Sequence, residues 1–253
     1  MLLALACCPR PRRVPTRAAA PAAVLKHRYS FNETSGDVAK DSAGTADGKL
    51  IAASFTGDGK ADLVSADSGY IDLPNGIISA LTNASFEAWV TFDGEDGAWQ
   101  RIFDFGNNVN GEDQQGAGTT YIFLTARVGG NGVLRFAATL DPNGTPREIP
   151  ILDGPILPTG TNVYVVVTYN VADRIGKLYY NGALVSSGEV TIPLNQIQDV
   201  NNWLGRSNWP DAFFDGQFDE FRIHEGILTD QQIAHCRRIR SQRRGRRLGR
   251  DQI

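Results

Sequence analysis

Few side chains in this 253-residue chain are spaced for covalent chemistry. Its three histidines, His27, His224 and His235, form no pair at metal-ligand spacing. The sequence contains neither a Gly-x-Ser-x-Gly elbow nor a phosphate-cradling glycine loop. Glycoside hydrolysis needs two carboxylates flanking the bond, about 5–5.5 Å apart in retaining enzymes and wider in inverting ones. Asp215, Asp219 and Glu220 come nearest, and Glu220 falls at the wrong spacing. Recognition is better supplied. A sugar presents hydroxyls around an apolar ring face, so its site pairs an aromatic with Asn, Asp or Arg. Ser207-Asn-Trp-Pro-Asp211 places Trp209 in a polar loop flanked by Arg206, Asn208 and Asp211, and these four are the candidate ligand contacts. The alternative is a loop that only covers a sheet edge. The Ser54–Asp62 loop imitates a calcium loop but keeps only Asp58 and Asp62 as acids, and it reads as a glycine-rich turn.

The elements that must position this loop read as strands. Ser85–Asp93 alternates, with Phe86, Ala88, Val90 and Phe92 on the core side and Glu87, Trp89 and Thr91 opposite. Arg101–Phe105, Tyr121–Ala126 and Val133–Leu140 follow as further strands. Asn162–Tyr169 is apolar almost throughout, which predicts a central strand covered on both faces. Asn181-Gly182 tolerates positive φ and sits between two β-rich runs, so a tight type I′ hairpin is expected. Asn201–Arg206 and Phe213–Ile223 close the set, with a phase slip at Asp219-Glu220 that signals a bulge. Thr229 and Gln232 are spaced as a capping box, opening a short helix that carries Ile233, Cys236 and Ile239 on one stripe.

Charge divides the chain. Between Tyr29 and Cys236 there are 11 Lys/Arg against 27 Asp/Glu, a net charge of −16, although the whole chain carries only −3. An acidic body suits a secreted module or a cation site and argues against nucleic-acid binding by the core. The ends are basic. Residues 1–25 read as a transit-like segment, a linker, a secretory signal or non-native sequence, and 236–253 as a disordered basic tail. The body between, 26–235, is one domain. Cys7, Cys8 and Cys236 lie outside the strands, as free thiols or with Cys236 paired to Cys7 or Cys8. No apolar run is long enough for a membrane span.

Ordered motifs within that body resemble the laminin-G-like, concanavalin A-like jelly-roll domains. They are Tyr29-Ser-Phe-Asn-Glu-Thr-Ser-Gly36, Asp41-Ser-Ala-Gly44, Gly69-Tyr-Ile-Asp-Leu-Pro74, Phe86-Glu-Ala-Trp-Val90, Tyr179-Tyr-Asn-Gly182, Leu204-Gly-Arg206 and Phe218-Asp-Glu-Phe-Arg-Ile223. The resemblance implies an all-β, antiparallel two-sheet jelly-roll β-sandwich with a short C-terminal helix and neighbouring first and last strands. With those strands adjacent, the Asp41–Gly48 loop and Asp219 would approach each other. Asp41, Asp47 and Asp219 are therefore the candidate metal ligands and Ca2+ the candidate cofactor. Glucanases of this sandwich carry Glu-x-Asp-x-x-Glu along one strand, and that spacing is missing here. The expectation is a non-catalytic, secreted or extracellular recognition module for a glycan or glycoprotein. A structural or adhesive protein-binding domain is the first alternative, and a polysaccharide hydrolase or lyase the second, because one fold hosts many functions.

Overall fold

Among the described residues, sixteen strands pair into two antiparallel sheets of eight, and the strand register decides which side chains each sheet hides. A computed structural model describes residues 22–94, 97–140 and 147–238. The expectations for Cys7, Cys8 and Ile239, and for most of both basic ends, fall outside the described residues. The first sheet runs, in spatial order, Ala183–Glu189, Ile175–Tyr180, Asn162–Asn170, Ala84–Phe92, Gly216–Glu225, Ala61–Leu63 and Ala53–Phe55. Its eighth strand, Val24–Tyr29, pairs with Gly216–Glu225, so the first and last strands are neighbours as the resemblance implies. The second sheet runs Ile151–Asp153, Arg135–Leu140, Gly118–Thr125, Arg101–Asn108, Asn201–Leu204, Tyr70–Leu73, Gly48–Ile51 and Val38–Ala39.

Period-two alternation builds the core between the sheets. Phe86, Ala88, Val90 and Phe92 enter it beside Val163, Val165 and Val167, against Phe103, Phe105, Ile122 and Leu124 of the facing sheet. The expected bulge is present, with the register to Ala84–Phe92 slipping between Phe218 and Glu220. The expected hairpin is also present, with φ of 51° at Asn181 and 84° at Gly182.

The outer face of the first sheet is closed by the chain's own helix, over 230–238. Thr229 and Gln232 form the capping box: Thr229 N–H donates to Gln232 Oε1 at 2.8 Å, and Gln232 N–H to Thr229 Oγ1 at 3.2 Å. Ile233 is buried and Cys236 partly buried against Trp89, Tyr164, Val166 and Tyr179. The first strand starts at Val24, ahead of residue 26, and Cys236 packs on the sheet just past residue 235. Beneath the helix lies Glu87, with no solvent exposure. His224 Nε2 approaches one of its oxygens at 2.6 Å and the Tyr164 hydroxyl donates to the other. Arg222 stands 3.6 Å away and covers the Trp89 ring. Burial by itself would raise the Glu87 pKa. The His224 hydrogen bond and the Arg222 charge outweigh it and hold the carboxyl below its ordinary range. Arg222 continues to Glu220, which also accepts from Arg28 at 2.7 Å.

Candidate functional site

The outer face of the second sheet is closed differently. On Gly118–Thr125, Ile122 and Leu124 face the core, while Tyr121 and Phe123 face outward and meet Ala137 of the next strand. Two half-buried indoles, Trp99 and Trp209, pack on this small apolar floor. Trp209 Nε1–H donates to the Tyr121 hydroxyl at 3.1 Å, and that hydroxyl donates to Glu148 Oε1 at 3.3 Å. Burial and the nearby Glu148 push the Tyr121 pKa up, so the phenol stays a donor. Burial also raises the Glu148 carboxyl. Gly118 lies under Trp209: a Cβ there would come within 2.5 Å of the indole nitrogen.

Each indole is fixed from behind. Trp99 has φ of 66°, a left-handed conformation that is a genuine outlier for so bulky a residue. Its N–H donates to Arg127 O at 2.6 Å and its carbonyl accepts from Arg101 Nη1 at 2.7 Å. A bulge between Arg101 and Phe103 turns Ile102 and Phe103 both inward, leaving Arg101 and Asp104 both outward. The Arg101 guanidinium lies 4.1 Å over the Phe123 ring and pairs with Asp104 at 3.1 Å and Asp211 at 3.0 Å.

The four candidate contacts thus separate. Trp209 and Asp211 sit at the surface of this platform, and the Asp211 side chain is 23 % exposed. Asn208 is fully buried and cannot touch a ligand, which corrects its assignment. Its N–H and Nδ2 donate to Asp104 at 3.0 and 2.8 Å, and its Oδ1 accepts from Asn108 and Asn201 at 3.1 and 3.0 Å. Arg206 is also buried, stacked 4.0 Å over Trp203 and 4.7 Å over Tyr70, with Nη2 donating to Asp113 O at 3.0 Å. It braces the neighbouring strands. Beside it, burial and then the Asp113 charge push the Asp72 carboxyl up to about 6. Trp99, Arg101, Tyr121 and Glu148 join the site unexpectedly. The outward phase of Tyr121 in its strand was the available signal.

The three aspartates expected to hold calcium do not assemble. Among the described residues, no group of three or more His, Cys, Asp or Glu is placed to hold a metal ion. Asp41 has its oxygens filled by five donors: His27 Nδ1 at 2.8 Å and the N–H groups of Arg28, Ala43, Gly44 and Ala46 at 2.9–3.1 Å. Burial opposes ionisation, but these hydrogen bonds win and hold its pKa at about 2. Asp47 accepts from Asp41 N–H at 2.9 Å and from Lys40 at 2.6 Å, and Asp219 accepts from Asn162. Asp41 has its lone pairs committed, and the three carboxylates form no ligand group, so the residues as placed do not fit the ion.

Two antiparallel sheets packed as a jelly-roll sandwich are the architecture of the concanavalin A-like class. Residues 65–234 match the Laminin_G_3 family, described as the concanavalin A-like lectin/glucanases superfamily, and the chain belongs to it. No curated protein matches the chain. Among solved structures it is similar to domain 4 of AbnA, an extracellular arabinanase from Geobacillus stearothermophilus, in complex with arabinotriose. That match has 22% identity and a TM-score of 0.59, covering 84% of this chain and 98% of that one. The receptor binding domain of botulinum neurotoxin mosaic serotype C/D matches at 17% identity and TM-score 0.61, covering 85% of this chain and 50% of that one. Trypanosoma rangeli sialidase matches at 16% identity and TM-score 0.56, covering 86% of this chain and 33% of that one. The chain thus spans half and a third of the length of these last two. These likenesses concern the fold, which both enzymes and binding domains contain.

Proposed function

We propose that this chain is a non-catalytic, extracellular-type glycan-recognition module that holds a saccharide on the outer face of its second sheet. The observation that carries the reading is the pair of half-buried indoles, Trp99 and Trp209, on one apolar floor, with Glu148 and Asp211 at the rim. A sugar ring stacks on the indoles while its hydroxyls donate to the carboxylates. The likeness to an arabinanase domain solved with arabinotriose supports a glycan, free or carried on a protein, as the partner. The non-catalytic reading is supported by the engagement of the neighbouring acids. Asp104 is sealed against Arg101 and Asn208, and Asp211 pairs with Arg101, so neither of these described carboxylates is a free partner for Glu148 in hydrolysis. Binding is expected to persist in chelator.

Titration of the chain with arabinan, arabinotriose and a broader glycan array, read by tryptophan fluorescence and calorimetry, tests this. Trp209→Ala and Trp99→Ala should each weaken binding about tenfold or more, roughly 1.4 kcal/mol or greater. Silence across the array, or unchanged affinity in both variants, would overturn the reading. Release of reducing ends that persists after repurification would overturn its non-catalytic part.

A further inference from the structure

A cavity of about 350 Å³ opens at one end of the sandwich, lined by Phe92, Gly94 and Ala98 and by residues of the 127–132 and 156–159 segments. Small-ligand sites run roughly 300–1,000 Å³, so the volume is sufficient for a sugar ring. Its walls are pinned before any ligand arrives. Phe92 and Thr159 form a β-bridge, Gly160 N–H donates to Phe92 O at 2.9 Å, and Arg127 Nη1 donates to Gly94 O at 2.9 Å. The floor is apolar: Phe92 and Leu157 are the last core residues at this end. Ile156 stands at the mouth with 66% of its surface exposed, the most exposed large apolar side chain among the described residues. The polar lining comes from Arg127, Asn131 and Thr159.

Part of the wall is bare backbone. Gly130 and Gly132 hold φ of 78° and 70°, and a Cβ built at either would meet no atom within 4 Å. Their peptide groups can therefore be approached closely. An apolar floor, a few hydrogen-bonding side chains and approachable peptide groups suit a ligand with one hydrophobic face and several hydroxyls. The charge balance selects against an acid: the body carries −16, and Arg127 already donates to a backbone carbonyl.

Resting on the glycan-binding reading above, we infer that this cavity is a second saccharide site, taking a neutral sugar ring. The ring's apolar face lies on Phe92, Leu157 and Ile156. Its hydroxyls meet Asn131, Thr159 and the Gly130–Gly132 backbone. The two sites share a wall. Ala98 lines the cavity while Trp99 faces the sheet platform, and Trp99 N–H is bonded to Arg127 O.

Amide NMR spectra of the full chain, titrated with arabinotriose, maltotriose and cellotriose and, as the acidic arm, digalacturonate, test the inference. Gly130, Asn131, Gly132 and Thr159 should shift with a neutral probe, separately from residues around Trp209. Ile156→Asp, at an exposed position, and Asn131→Ala should weaken that set about tenfold or more and leave the Trp209 set unmoved. Trp209→Ala should do the reverse. If only the Trp209 set responds, the cavity is no saccharide site and the proposed function stands. If no probe moves either set, both fall. Tighter binding of digalacturonate at Gly130–Gly132 would overturn the neutral class.

Discussion

The two outer faces of the sandwich both carry aromatic and charged side chains, and they end in opposite states. On the first sheet, Trp89 and Tyr164 stack at 4.2 Å, and the helix over 230–238 packs on the cluster they form. The buried Glu87 there is satisfied by His224, Tyr164 and Arg222. On the second sheet, Tyr121 and Phe123 are covered by the loop residues Trp99 and Trp209, both half-buried, and by the Arg101 guanidinium rather than by a helix. A face that ends in a helix becomes a second core. A face that ends in braced loops retains surface for a partner. Polar groups follow the same division: those on the helix side close on one another, whereas Glu148 and Asp211 end a network at the rim.

The largest break in this comparison is expected from Glu87→Ala. It strips the acceptor from His224 and Tyr164 and leaves the half-buried Arg222 charge without one of its partners. Loss of one member of a buried pair costs about 3–5 kcal/mol, to be read by urea denaturation, with glycan affinity unchanged. An equal loss of glycan binding in still-folded protein would show that the faces are coupled. Next comes Thr229→Ala, which removes the N-cap. It should cost about 1 kcal/mol, lower the melting temperature and raise hydrogen exchange in the helix over 230–238 while leaving Trp209 fluorescence as it was. The smallest effect is Asp72→Asn. The Asp72 carboxyl is raised to about 6, so its ionisation costs stability as pH rises through that value. The variant should therefore be more stable than the parent at pH 7.5, by on the order of 0.5 kcal/mol after solvent screening. The gain should vanish below the ordinary carboxylate pKa of about 4. A gain that persisted at pH 3.5 would contradict the burial argument.

Local rules carried far where one interaction dominates. Alternation in Ala84–Phe92, the Asn181-Gly182 turn, the Thr229–Gln232 box and the phase slip before Glu220 each depend on neighbours within a few residues, and each was legible. Site residues were legible only in part. Trp209 stands out in the sequence because a tryptophan beside a proline lacks an obvious core role, and it packs on the outer face of the second sheet. Asn208 was misread because a loop asparagine has the same local appearance whether it faces water or a buried carboxylate. Arg101 and Asp104 reach one face only through a bulge that alternation cannot foresee. Asp41 illustrates the hardest ambiguity: a turn that offers oxygens to calcium also offers N–H groups to its own carboxylate, and here the second use prevails.

The pairing of the first strand with the last has a mechanical consequence. Val24 lies opposite Glu225 and Tyr29 opposite Phe221, so the start of one strand and the finish of the other leave the sheet at the same corner. Tension applied across that corner loads the backbone hydrogen bonds one after another, as in opening a zipper, instead of all together in shear. Once the helix over 230–238 is peeled away, this seam should yield at low force. The strands bearing Tyr121, Arg101 and Trp203, which belong to the other sheet, lie off that line of pull.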